Sequence, residues 1–310
     1  MKVVIAGGAG SLGRQIAARL AQRGDEVVVL TRSPSAASPH RQVAWDGRTV
    51  GPWAGELEGA AVINLAGALV DRRPTEANIE LLRSSRVEPT RTLVTASAQL
   101  AEPPNVWLQA STLAIYGDAG ERVLDESAPP AAEPAQMAGV ARPWEEAAAG
   151  APTDRLVVMR TGIVLARGTP ALDRLVRLTR WGLGGKLGSG RQWVSWIHLA
   201  DFLAAVDAFL DDARFSGVVH VTSPNPVRNA ELMAAVRKVL HRPAAPPAPA
   251  AAVRLGAVLL RTDPALALTG RRCVPAVLQG SRFDFRFTEI LPALEDLLAH
   301  GSRRPTPAGS

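Results

Sequence analysis

A single cysteine, Cys273, stands among the 310 residues of the chain, which excludes an intrachain disulfide and a cysteine-cluster metal site. The expected state of that thiol is buried and structural. Lysine is nearly as scarce. Of the 35 basic residues only Lys2, Lys186 and Lys238 are lysines, and the 32 arginines are scattered through an alanine-rich chain. No basic stripe with stacking aromatics results, so the net charge of +6 does not mark a nucleic-acid surface. No run of about 18 uninterrupted apolar residues is present, so no membrane span is expected. The opening MKVVIAGG enters a strand-like segment without a signal-peptide layout, and a cytoplasmic protein is expected. The five histidines are dispersed, and no His/Asp/Glu cluster has metal-ligand spacing. A serine hydrolase finds no nucleophile elbow to support it.

What is present is a regular alternation. Apolar, β-branched runs at Lys2–Ala6, Glu26–Thr31, Ala61–Ala66, Asn105–Ser111, Leu156–Thr161 and Gly217–Thr222 predict strands. Leu12, Ile16, Ala17 and Leu20 recur at helical spacing within Leu12–Arg23, and a second helix is expected over Glu76–Leu100. Strands alternating with helices predict an α/β fold, a doubly wound parallel sheet covered on both faces. After Leu240 a Pro/Ala connector begins at His241, and an apolar helical pattern resumes at Arg254–Leu260. The expected organisation is a dinucleotide-binding unit over 1–165, completed by 196–223. A smaller C-terminal substrate or lid part is expected from 166–195 and 224–300, with a flexible tail at 301–310.

Gly7-Gly8-Ala9-Gly10-Ser11-Leu12-Gly13 follows the first strand and opens the first helix. In that context glycines permit a tight turn, let backbone approach a pyrophosphate and let the helix pack closely on the strand. The free N–H groups of the helix then receive the phosphates. This is a Rossmann-type cofactor loop, with Gly7, Gly10, Ser11, Leu12 and Gly13 as the contact residues. The second strand ends in Thr31-Arg32-Ser33, with no carboxylate to hold a ribose 2′-hydroxyl. Arg32 suits a 2′-phosphate instead, so NADP(H) is favoured and NAD(H) possible, although an arginine after a strand is also commonly just solvated. Leu65-Ala66-Gly67 ends a buried strand in small residues that let backbone line the adenine ribose, a simple strand-to-loop turn being the other reading.

Together these pieces resemble the extended short-chain dehydrogenase/reductases, and within them the atypical, epimerase-family branch, sugar-nucleotide-epimerase-like. The residues carrying the likeness are Gly7–Gly13, Asn64–Gly67, Ser84-Ser85-Arg86, Tyr116-Gly117-Asp118, Arg160–Leu165, Leu187–His198, Ser223–Glu231 and Phe283–Phe287. The resemblance implies a cofactor lying across the sheet ends, with Ala110, Arg160, Thr161, Gly162 and Ile163 beside it. It also implies a substrate pocket walled by Trp144, Trp193, Trp196 and His198, although core packing is the other reading of each tryptophan.

Ordinary members of that superfamily use a Ser/Thr hydroxyl, a tyrosine and a lysine four residues after it. The chain has one tyrosine, Tyr116, and Gly120 stands four residues on, so no such pair exists. By spacing, Val140 and Trp144 occupy the tyrosine and lysine positions, and Thr112 keeps the hydroxyl position. Thr112 is either a polariser or a strand-end residue satisfying backbone. Tyr116 is carried with it as a catalytic candidate, and Tyr116, Asp118, Glu126 and His198 are the candidate proton donors. Val194-Ser195 stand where sugar-nucleotide members often carry Arg-Asp, which argues against a nucleotide-sugar substrate; Arg191 lies nearby. The expected function is an NADP(H)-dependent oxidoreductase acting on a small organic carbonyl, imine or activated alkene. The alternatives are an NADP(H)-responsive regulatory protein and a non-redox isomerase, dehydratase or cyclase. The expected partner is a small-molecule substrate.

Overall fold

The computed structural model describes residues 1–131 and 137–299; the expected tail at 301–310 lies outside them. Seven strands form one parallel sheet: β1 (Lys2–Ala6), β2 (Glu26–Thr31), β3 (Arg41–Ala44), β4 (Ala61–Asn64), β5 (Val106–Thr112), β6 (Arg155–Thr161) and β7 (Gly217–Val221). Their order is β7-β6-β5-β4-β1-β2-β3. Strand order reverses between β1 and β4, and the carboxyl ends of the strands open a crevice at that point.

Helices α1 (Ser11–Gln22), α2 (Glu76–Ser97), α3 (Met137–Ala148), α4 (Pro170–Arg180), α5 (Leu199–Asp211), α6 (Asn229–Val239), α7 (Ala250–Leu259) and α8 (Ile290–Ala299) surround the sheet. The two-residue period of the strands explains the layering. Val3, Ile5, Ile63, Leu108 and Val157 point to one face, against Ile16 and Leu20 of α1 and Phe202 and Phe209 of α5. Val4, Val28, Val62 and Trp107 point to the other, against Trp53 of the short turn Pro52–Leu57 and Leu93 of α2. Both faces are buried, which is why the strands read as continuous apolar runs. A separate core joins α4, α6 and α8 through Leu172, Val176, Leu232, Val236 and Leu294. Its residues all come from the second half of the chain, Leu165 onward.

Two details differ from the sequence reading, and a third adds to it. β3 was not anticipated, because Arg41-Gln42-Val43-Ala44 is a short edge strand with a polar half. β4 ends at Asn64 rather than Ala66, although the Leu65 N–H still donates to the Ala6 carbonyl at 2.9 Å. The Pro/Ala connector is tied to the segment before β7: the Ala248 N–H donates to Lys186 O at 2.9 Å and the Gly188 N–H to Ala248 O at 2.8 Å. No helix among the described residues is long and apolar enough to cross a membrane.

Candidate cofactor and active site

The glycine loop closes on itself. The Gly7 N–H donates to Leu30 O (3.3 Å) and the Gly10 N–H to Gly7 O (3.0 Å). Gly7 has φ of +79°, and a Cβ there would lie 2.9 Å from the Leu65 carbonyl. A Cβ on Gly13 would sit 2.5 Å from Gly8 Cα, so α1 rests directly on the loop. The first turn of α1 has neither a side-chain cap nor an acidic residue. Its leading N–H groups therefore face the crevice unpaired, the arrangement that accepts an anion. At the end of β2, Thr31 is half-buried, and Arg32 and Ser33 are exposed. Arg32 makes no hydrogen bond or ion pair among the described residues, which leaves its guanidinium available to a phosphate. These features fit a phosphorylated dinucleotide.

The loop after β4 is shaped from beneath. Buried Asn64 donates through Nδ2 to Thr90 Oγ1 (2.8 Å) and Gln109 Oε1 (3.0 Å), and accepts the Ala66 N–H (3.2 Å). Ser85 Oγ accepts the Ala68 N–H at 3.0 Å. Arg86 donates from Nη1 to Leu82 O (2.9 Å) and from Nη2 to Ala68 O (3.0 Å). A Cβ on Gly67 would lie 2.9 Å from the Arg86 Cζ, so this glycine makes room for the guanidinium. The sequence signal for Arg86 was its motif alone; its burial under the loop was not legible there.

Thr112 and Thr161 are register partners at the carboxyl ends of β5 and β6, and both are half-buried. Thr112 Oγ1 accepts the Ala114 N–H at 3.1 Å. That bond uses only a lone pair, so the hydroxyl satisfies backbone and keeps its own proton to donate. Ala110 lies two residues before it, also half-buried. A Cβ on Gly162 would meet Ser195 O at 2.7 Å. Ile163 is left 42% exposed at the mouth of the crevice.

Other expected site residues are engaged elsewhere. Arg160 was expected beside the cofactor, but its guanidinium is buried in a bidentate pair with Glu145 (2.9 and 2.8 Å) and donates to Tyr116 Oη (2.7 Å). Burial opposes its charge, and the Glu145 carboxylate overrides burial and raises its pKa. Tyr116 is buried, and its oxygen lies 2.6 Å from His220 Nε2. His220 Nδ1 faces Val274 O at 2.9 Å and must donate to it, so Nε2 accepts the tyrosine proton. Burial pushes the Tyr116 phenol up to about 12. It is a structural donor with its proton already placed.

The remaining donor candidates are committed too. Glu126 accepts the N–H groups of His220, Ala276 and Val277 (3.0, 3.1 and 3.3 Å), and Asp118 accepts that of Gly270 (3.2 Å). His198 caps α5 by accepting the Ala200 N–H at 3.0 Å. Its Nε2 approaches Asp296 to 3.3 Å but is not aligned for a hydrogen bond. Trp196 is wholly buried and donates to Asn225 O, so it is core rather than pocket wall. Trp193 is gripped between the guanidiniums of Arg228 and Arg272 (4.4 and 4.5 Å from its ring) and donates to Glu121. Trp144 is buried under Arg86 and donates to Thr90 Oγ1 at 3.2 Å. Cys273 is buried, as expected, and burial pushes its thiol up to about 12.

Residues 3–221 match the NAD dependent epimerase/dehydratase family, and residues 248–297 match a domain of unknown function, DUF1731. The chain belongs to the NAD dependent epimerase/dehydratase family. The bovine epimerase family protein SDR39U1 is 33% identical over 305 residues, covering 96% of this chain and all of that protein. The crystal structure of human SDR39U1 with NADPH superposes with a TM-score of 0.86 at 29% identity, covering 96% of this chain and 99% of that one. A nucleoside-diphosphate sugar epimerase from Corynebacterium glutamicum is 30% identical with a TM-score of 0.77, covering 97% of this chain and 58% of that one. Against the ordinary pattern of the epimerase/dehydratase family, this member keeps the glycine loop and the strand-end hydroxyl. Val140 and Trp144, which fall by spacing at the acid–base positions, are both buried on α3.

Proposed function

We propose that this family member is a cytoplasmic NADP(H)-dependent oxidoreductase that reduces a small organic carbonyl, imine or activated alkene. The observation that carries this reading is the Thr112 hydroxyl, half-buried at the carboxyl end of the interior strand β5 with a free proton, beside an intact cofactor cradle. Bound NADPH supplies hydride. The residues of the chain hold and orient: the first turn of α1 receives the pyrophosphate, Arg32 the 2′-phosphate, and Thr112 donates to the substrate heteroatom. Tyr116 and Glu126 have their polar atoms engaged, Asp118 accepts a backbone N–H through Oδ1, and His198 Nε2 is buried against Asp296, so the proton comes from water. Hydride transfer relies on positioning and electrostatics, and it tolerates loss of the tyrosine at a cost in rate.

The test is calorimetric titration with NADPH and NADH, repeated with Arg32→Ala, followed by a carbonyl and imine screen monitored at the NADPH absorbance. Arg32→Ala should weaken NADPH about tenfold and leave NADH unchanged. Thr112→Ala should slow any turnover found by about 10²-fold. Binding without turnover of any substrate would favour the second reading, an NADP(H)-responsive regulatory protein, which the engaged donors also support.

A further inference from the structure

Arg86 is 6% exposed and makes no ion pair with any carboxylate among the described residues. Two of its five N–H donors go to the Leu82 and Ala68 carbonyls, and buried Nε has no partner. Its guanidinium lies 5.1 Å from the ring of Trp144, the residue standing where the family lysine falls by spacing. Burial lowers its pKa to about 10, which still leaves it charged at neutral pH. An unneutralised buried cation is costly, and ordinary packing residues do not carry one.

Its location gives the charge an object. On the reading above, the 2′-phosphate rests at the end of β2 and the pyrophosphate over β1. Across the strand-order reversal the nicotinamide half runs on past the loop after β4, whose Gly67 and Ala68 Arg86 props, toward Trp144 of α3 and the Thr112 end of β5. The carboxylates placed near that end are neutralised: Glu145 by Arg160 and Asp71 by Arg174. We propose that Arg86 supplies from α2 the cation lost from α3, and that this fixed charge beneath the loop makes the site favour the neutral, reduced nicotinamide over the cationic, oxidised one. The protein is thereby a holder of NADPH that releases NADP⁺, poised for reduction.

This rests on the NADP(H) reading, and the experiment separates the two. NADPH and NADP⁺ are titrated calorimetrically into the wild-type protein, Arg86→Lys, Arg86→Gln and Arg86→Met, with melting curves confirming that each variant is folded. The phosphates are common to both cofactor forms, so their attraction to Arg86 cancels in the ratio of the two dissociation constants. Wild type should bind NADPH at least about tenfold more tightly than NADP⁺, the scale of a unit charge felt across one layer of backbone. Arg86→Lys should keep most of that ratio. Arg86→Gln, which retains donors for the two carbonyls, should bring it to within about threefold of unity, as should Arg86→Met. Equal affinity for both forms in the wild type, or equal weakening of both in Arg86→Gln, makes Arg86 a mere prop and overturns the proposal while the NADP(H) reading stands. Binding of neither cofactor overturns both.

Discussion

Tyr116 carries more of the structure than its solitary place in the sequence implies. Its oxygen accepts a hydrogen bond from Arg160 and donates one to His220, residues 44 and 104 positions away. Tyr116→Phe removes that oxygen and leaves a buried guanidinium N–H and a buried imidazole nitrogen unsatisfied. The expected cost is about 1–3 kcal/mol of stability, read from urea denaturation. A catalytic tyrosine would behave differently, losing activity with stability nearly intact. If Tyr116→Phe denatures at the wild-type midpoint, the relay described here is wrong. Arg160 makes the same point about legibility. Its strand was evident from Leu156–Thr161, but the inward turn of its guanidinium depends on Glu145, placed opposite it only when α3 docks on the sheet.

At the level of elements, what could be read from sequence was what is local. The glycine loop is a contiguous heptad whose strand, turn and helix adjoin, so its geometry is written in its own residues. Six of seven strands were legible because burial on both faces leaves uninterrupted β-branched runs. β3 escaped because an edge strand of Arg41-Gln42-Val43-Ala44 needs no apolar run. A helix cap for His198 and a core position for Trp196 were among the readings the sequence offered, and the structure selects them, because a polar or aromatic residue looks alike in a pocket and at a helix end until the fold places it. The coupling of loop to helix is open to test at Gly13. A Cβ there would meet backbone at 2.5 Å on Gly8 and 2.8 Å on Gly7, atoms with no side-chain freedom to yield. Gly13→Ala should lift α1 from the loop, costing about 1–3 kcal/mol and most of the cofactor affinity. Gly24→Ala offers the contrast: its φ of +88° strains an alanine but nothing crowds the added methyl, so cofactor affinity should be retained. Equal loss of cofactor in both variants would show that general destabilisation, rather than loop geometry, governs binding.

For the whole molecule, the loop after β4 is tied to the helices of the C-terminal half by polar contacts. Asp71, in the loop after β4, pairs with Arg174 of α4 and receives the Thr262 hydroxyl; Arg73 donates to Val258 O at the end of α7 (2.8 Å). Deeper down, two histidines couple the assembly to pH. His220 lies in β7 beneath the Val274 segment, and His198 joins the sheet side to Phe287, 4.0 Å away between ring centres, and to α8. Burial lowers the pKa of both, against partial support from Glu126 and Asp296. An unfolded histidine titrates near 6.5. Between that value and the lower folded pKa, the unfolded chain binds more protons than the folded one, so stability rises with pH across this window. It should therefore be complete at pH 7.5 and fall as pH drops through about 6.5, before exposed carboxylates titrate. Melting temperatures at pH 7.5, 6.5 and 5.5 in low-salt buffer check the sign. A flat profile would mean that both imidazoles accept a proton in place, and then the Tyr116–His220 bond could not run in the direction that keeps the phenol out of the chemistry.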